Sequence, residues 1–434
     1  MVGIYIIIIF IIVFIIVFCT VTERFVSFQK TPNLCPEYWM KQLYPVIKDK
    51  TLLDLSLPGS HDTLTFDLSH TVSYGGLKNT RLSQILNYLT SLGISFSDEL
   101  RTLSITQNLD LPSQASAGIR LFDFRIEYSS NEWRGVHFVQ TNHSIKRYLR
   151  PLRKWIDDHP NEIFVFWISR HGMGDHSFEL SQEILDEGWN IFLDIFGDLI
   201  VPTDKYPIDS TSVGKLVSEN KRIYCVTIEW EKFTRSSNLA YSNTAVQNNA
   251  KMKPYSIAQN REYMTNALTG ERKYNKFWSE SGASSMTLEF IEDVILYKYL
   301  GWGLQKDHLL NSCLANMDPV LKEKGGKLCP EWLQELSQLI NYYNQKVYVQ
   351  ANVFPNCIML DSVTPSGGVR IGSVPLDVNI SKNGNIEKYG EFDFFTWMMA
   401  GNMMNLGMHQ EASYLLNKVH VHMWEDKDNS RFVM

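Results

Sequence analysis

Apolar runs broken by turn residues recur along the chain and alternate with amphipathic stretches. Residues 52–57 are largely apolar and are followed by Pro58 and Gly59, a pair that punctuates strands. Further runs at 119–126, 133–139, 163–169, 222–228 and 357–360 predict strands. Residues 163–168 are apolar without alternation, the pattern of a strand buried on both faces. Residues 144–158 place Ile145, Tyr148, Leu149, Leu152, Trp155 and Ile156 at helical spacing, with Pro151 kinking or starting the helix. Residues 331–344 repeat that spacing with Trp332, Leu333, Leu336, Leu339 and Ile340. Strands alternating with helices predict a parallel α/β sheet, open or closed.

The two ends of the chain depart from this pattern. Residues 2–22 carry no charge and are dominated by Ile, Val and Phe, long enough to cross a bilayer, which takes about 20 apolar residues. The stretch 1–22 therefore predicts an uncleaved signal anchor or a cleaved signal peptide, and a membrane-bound or secreted protein. On that route Cys313, Cys329 and Cys357 meet conditions that allow disulfides, and Asn142 and Asn379 stand in Asn-x-Ser sequons. Residues 23–48, with Pro32, Pro36 and Pro45, read as a linker anchored by Tyr38, Trp39 and Met40. The main domain is expected over 49–362. Residues 363–434, with the apolar stretch 394–399, read as an extension packed on it. The long connection 64–106 is too apolar for a disordered loop; it is expected to meet lipid, with Tyr74 and Phe96 as anchors.

Composition narrows the function. A hydrophobic content of 44% supports a large core, and a net charge of −6 argues against nucleic acid as a partner. The six cysteines have neither metal-site nor redox-pair spacing. Chemistry concentrates instead at three places. His61 and Asp62 follow the first strand, Asp123 and Arg125 share one face of the second, and His137 lies near the end of the third. In a closed parallel sheet such strand ends gather round one mouth. Two histidines suit a paired general base and general acid near neutral pH. Arginine suits a phosphate, and carboxylates fix imidazole tautomers. The set predicts phosphodiester cleavage by acid–base catalysis without an obligatory metal. His143 competes with His137 for the acid role.

LPGSHDT at 57–63, QASAGIRLFDFRI at 114–126 and the histidine in the next strand resemble the X-domain of phosphatidylinositol-specific phospholipase C, closest to bacterial-type and X-domain-only members. RPLRKWIDDHPNEIFVFWIS at 150–169 extends the resemblance, which is strongest over 51–170. It implies a distorted TIM-type (β/α) barrel acting on an inositol phospholipid or related glycolipid at a membrane surface. His61 would be the base and His137 the acid. Arg125 would stabilise the phosphoryl charge, Asp62 and Asp123 would position these groups, and Asp361 would pair with the base histidine. Arg170 stands near where bacterial members carry a lysine and is expected to touch substrate. The products would be diacylglycerol and a cyclic inositol phosphate. Arg125 also stands where calcium-dependent members carry a carboxylate, which implies calcium independence and no cofactor, although Asp62 and Asp123 remain as oxygen donors. The rival readings are a non-catalytic X-domain protein that binds lipid or a partner, and a metal-dependent phosphodiesterase of related barrel fold.

Overall fold

The computed structural model describes residues 34–73, 81–93, 95, 97–170, 180–227, 231–235, 237–242, 246–248, 276–281, 355–361, 363, 379–380, 386–388 and 394–415. The apolar stretch 1–22, the helix expected at 331–344, Tyr74, Phe96, Cys313 and Cys329 lie outside them. Among the described residues no helix is long and apolar enough to cross a membrane. The chain divides into two units, Met1–Cys35 and Pro36–Met434, and the second carries every element below.

In chain order the elements begin with helix α1 (Trp39–Ile47), strands β1 (Leu57–Ser60) and β2 (Leu68–Val72), and helices α2 (Arg81–Ser91), α3 (Ser97–Ser104) and α4 (Leu111–Ser116). Strands β3 (Leu121–Ser129), β4 (Glu132–His137) and β5 (Val139–Ser144), helix α5 (Ile145–Asp158), strand β6 (Phe164–Arg170) and helices α6 (Gln182–Phe196) and α7 (Val213–Ser218) follow. Then come β7 (Ile223–Thr227), β8 (Val246–Asn248), β9 (Phe277–Ser281), β10 (Cys357–Leu360) and helix α8 (Phe394–Asn405). Strands β8, β9, β10, β1, β3, β6 and β7 pair in that order, all parallel. The hairpin strands β4, β5 and β2 extend the sheet antiparallel from β3. The result is mixed α/β, with the sheet curled into a half-barrel.

Two strands differ from the sequence reading. Residues 52–54 form a 3₁₀ turn, and the first strand begins at Leu57. Pro58 and Gly59 therefore lie inside it, and the turn starts at His61. Pro58 needs no N–H there: its carbonyl accepts the Arg120 N–H at 2.8 Å. Gly59 is required by close approach, because a Cβ would stand 2.7 Å from Cys357 Sγ. The strand carrying His137 is antiparallel to β3 rather than the next parallel strand. Ser130 and Asn131 both have positive φ (52° and 61°), the signature of a two-residue hairpin turn, and such a link cannot make a parallel crossover.

Alternation along β3 separates core from site. Phe122 and Phe124 pack with Phe164, Phe166 and Phe192 at ring-centroid distances of 5.1–6.2 Å. Asp123 and Arg125 take the opposite face. A buried ion pair, Arg120 Nη2 to Glu162 Oε2 at 2.8 Å, fastens what precedes the barrel. Arg120 also donates to the carbonyls of Ala115, Ile119 and Glu37, and Glu162 accepts the Lys41 N–H at the start of α1. The stretch read as a linker thus contains a helix with Trp39, Met40, Leu43 and Ile47 buried. At the other end, Asn402 in α8 bonds both the N–H and the carbonyl of Ser56 (2.6 and 2.9 Å), just before β1.

Candidate active site

The end of β1 is held by its neighbours before any side chain acts. His61 N–H donates to the Leu360 carbonyl at the end of β10 (2.9 Å), and Thr63 N–H donates to the Asp123 carbonyl (3.0 Å). Between them Asp62 adopts the left-handed region (φ 45°), which aspartate tolerates better than most residues. This turn brings His61 and Asp62 beside Asp123 and Arg125 of β3 and beside Asp361, which follows β10. His137 arrives from β4, where Phe138 (φ 59°) breaks the path between β4 and β5.

The side chains then form a closed set. His61 Nδ1 lies 2.8 Å from Asp361 Oδ1 and His61 Nε2 lies 2.7 Å from Arg125 Nη2. A guanidinium only donates, so Nε2 accepts and the Nδ1–H donates to the carboxylate. Arg125 Nε reaches Asp62 Oδ1 at 2.5 Å and Asp123 Oδ2 at 3.3 Å. Asp123 Oδ2 also accepts the Asp62 N–H at 3.1 Å. Asp62 Oδ2 stands between the two histidines, 3.5 Å from His61 Nε2 and 3.4 Å from His137 Nε2. The His137 Nδ1–H donates to the Ser104 carbonyl at 2.8 Å. Both Nε2 atoms therefore face the same carboxylate. His61, Asp62, Asp123, His137 and Asp361 are buried, whereas the Arg125 side chain keeps 28% of its surface exposed. An incoming anion would meet the guanidinium first.

Electrostatics divide the histidines. Burial lowers the His61 pKa, but the carboxylates of Asp62 and Asp361 outweigh it, and the net shift is upward. Burial also lowers His137, and there Asp62 offsets it only in part, so the net shift is downward. Burial raises Asp123 despite the opposing Arg125. Arg125 is raised, because the carboxylates of Asp62, Asp123 and Asp361 outweigh its burial.

Of the residues singled out in the sequence, His61, Asp62, Asp123, Arg125, His137 and Asp361 converge. His143 does not join them: it lies in β5 beside Tyr148 and Arg147. Arg170 ends β6 in register with Ile126, and its side chain lies outside the described residues. Asn142, in one of the sequons, donates to Asp67 at 2.6 Å. Sequence reasoning missed the segment 104–107. Thr106 Oγ1 and Gln107 Nε2 both donate to the His61 carbonyl (3.1 and 2.9 Å), and Ser104 holds His137. Neutral residues in a long connection gave no signal of this.

Donor atoms of His61, Asp62 and Asp123 lie within 4.8 Å of one another, close enough to suggest a cation site. The Arg125 guanidinium shares that space and is ion-paired to both carboxylates. A cation there would compete with that guanidinium for the same carboxylate oxygens.

No protein-family model matches the chain. It is similar to PI-PLC X domain-containing proteins. Identity is 32% over 176 residues with human PI-PLC X domain-containing protein 1, covering 39% of this chain and 51% of the relative. With the mouse protein of the same name identity is 31% over 176 residues, covering 39% and 48%. The chain thus spans about half the length of the curated relatives it matches. Among solved structures, phosphatidylinositol-specific phospholipase C from Listeria monocytogenes aligns at a TM-score of 0.46 and 12% identity, over 77% of this chain and 96% of that one.

Proposed function

We propose that the protein is a phosphoric diester hydrolase or lyase of the phospholipase C type. Its substrate would be phosphatidylinositol or a related glycolipid, cleaved to diacylglycerol and a cyclic inositol phosphate at a membrane surface. The observation that carries the reading is the pair of buried imidazoles whose Nε2 atoms face one carboxylate beside a partly exposed guanidinium. Arg125 swings its Nη2 from His61 to the phosphoryl oxygens and frees the Nε2 lone pair. His61 takes the proton of the inositol 2-hydroxyl, and that oxygen bonds to phosphorus. The phosphorus–glycerol oxygen bond breaks, and His137 gives a proton to the departing oxygen. Asp361 fixes the His61 tautomer and stabilises its cationic form. Arg125 neutralises charge that grows on the phosphoryl group, worth about 3 kcal/mol for a donor of this kind. No step passes through a metal.

Phosphorus NMR of phosphatidylinositol vesicles tests the reading. A cyclic phosphate signal that persists in excess chelator is expected. Activity lost in chelator and restored by calcium would support the metal-dependent alternative, which the proximity of the His61, Asp62 and Asp123 donors favours. Absence of any new phosphorus signal, with lipid binding retained, would leave a binding protein.

A further inference from the structure

Three strands supply the acid–base residues, and one short segment touches the chain at all three. After α3 ends at Ser104, residues 104–107 run beneath the His61 turn. The Ser104 carbonyl accepts the His137 Nδ1–H at 2.8 Å. Thr65 Oγ1 accepts the N–H groups of Thr106 and Gln107 (3.1 and 3.0 Å) and so pins the segment to the turn. Gln107 is fully buried, and its carboxamide does the bridging. Nε2 donates to the His61 carbonyl at 2.9 Å and to the Leu360 carbonyl at 2.7 Å. Oε1 accepts the Val363 N–H at 3.4 Å. One side chain therefore spans the residue that begins the catalytic turn and both flanks of Asp361.

Geometry gives this bridge a purpose. His61 and Asp361 stand 300 positions apart in the chain, and their 2.8 Å contact depends on the relative placement of two strand ends. The β1–β10 ladder runs from Leu57 and Cys357 to Ser60 and Leu360 and stops there, so the reacting residues lie just past it. Beyond it the His61 N–H to Leu360 carbonyl bond continues the pairing by one step, and Gln107 adds the next constraint. A backbone carbonyl has two lone pairs, and those of Leu360 serve these two donors.

We propose that Gln107 is a positioning residue that holds the His61 turn and the Asp361 loop in register, and so sets the imidazole–carboxylate contact. Thr106 supports the same turn through its bonds to the carbonyls of His61 and Asp62 (3.1 and 3.3 Å). Gln107 touches no substrate; it acts through His61. The role rests on the reading of His61 as the base, but its test does not need turnover.

The full chain, labelled at histidine, is titrated by NMR, and the His61 signal is assigned with a His61→Ala variant. Gln107→Met keeps the length of the side chain and removes its hydrogen bonds. It is expected to lower the His61 midpoint toward the ordinary value of 6.5, because the carboxylate contact that raises it is loosened. Asp361→Asn is expected to lower it too, and adding Gln107→Met to Asp361→Asn should move it little further. On lipid, Gln107→Met should lose on the order of 100-fold in kcat with KM changed much less. If Gln107→Met does not fold, Gln107→Asn, which withdraws the carboxamide by one methylene, takes its place. A folded variant whose His61 midpoint matches wild type overturns the proposal. A lowered midpoint in a protein that cleaves no lipid would sustain the positioning role and remove the enzymatic reading instead.

Discussion

His61 is held by a carboxylate on one ring nitrogen, a guanidinium on the other and two side chains on its carbonyl. His137 rests its Nδ1–H on a backbone carbonyl, that of Ser104, at the end of an antiparallel hairpin. The first histidine stands where parallel strands β10, β1 and β3 meet, and the second on strands added to the edge of that sheet. Their electrostatics follow the same line. Charged neighbours overcome burial at His61 and fail to do so at His137. The proposed base, surrounded by carboxylates, is thus paired with a proposed acid whose pKa burial lowers. In the proposed reaction the substrate phosphate brings a negative charge to the mouth.

The contrast can be broken most sharply at the base. His61→Ala is expected to lower lipid cleavage by about 10⁴-fold, the upper range for a general base, against about 10²-fold for His137→Ala. Phosphorus NMR rates measure both, and equal losses would erase the distinction. Next in size is Arg125→Met, with an expected loss of about 10³-fold, since it removes a donor aimed at growing negative charge. A variant that keeps its rate would show that the guanidinium serves only the folded state.

The pH profile sharpens the same comparison. In the proposed reaction the reactive form has His61 neutral and His137 protonated. Below the lower limb both are protonated and the base is lost; above the upper limb both are neutral and the acid is lost. With His61 raised and His137 lowered, kcat/KM should form a bell whose limbs fall on either side of 6.5. Asp361→Asn should move the upper limb down. Two limbs on the same side of 6.5 would contradict the opposed shifts.

The smallest expected effect on chemistry comes from Arg120→Met. Breaking the buried pair with Glu162 should cost about 3–5 kcal/mol of stability, read by denaturant unfolding. The rate per folded molecule should stay near wild type, because Arg120 fastens α1 and α4 rather than the site. A fall in that rate would join the scaffold to the base half.

Much of this was legible in the sequence. The continuous apolar run of β6 and the limits of β10 could be read directly, because buried parallel strands have few other ways to look. Asp361 could be singled out through the family resemblance, which its place after such a strand fits. The β4 strand was legible as a strand but not in its direction. That choice lay in Ser130 and Asn131, whose positive φ angles make a hairpin that apolar spacing does not record. Pro58 and Gly59 read as a stop, yet they belong to β1, because the approach of Cys357 favours a residue without a side chain. Gln107 was invisible for a different reason: its contribution lies in hydrogen bonds to backbone carbonyls of residues 46 and 253 positions away.

The contact between His61 and Asp361 closes over a chain distance of 300 residues. During synthesis at roughly 5–20 residues per second, His61 would leave the ribosome about 15–60 s before its carboxylate partner is made. Strands β3, β6 and β7 can assemble in that interval, and β1 can find β3. The ladder to β10 cannot form, and the base has no carboxylate to orient it. A nascent chain is therefore born with this half of the site unfinished, and the competence proposed for it would arrive late, with strand β10.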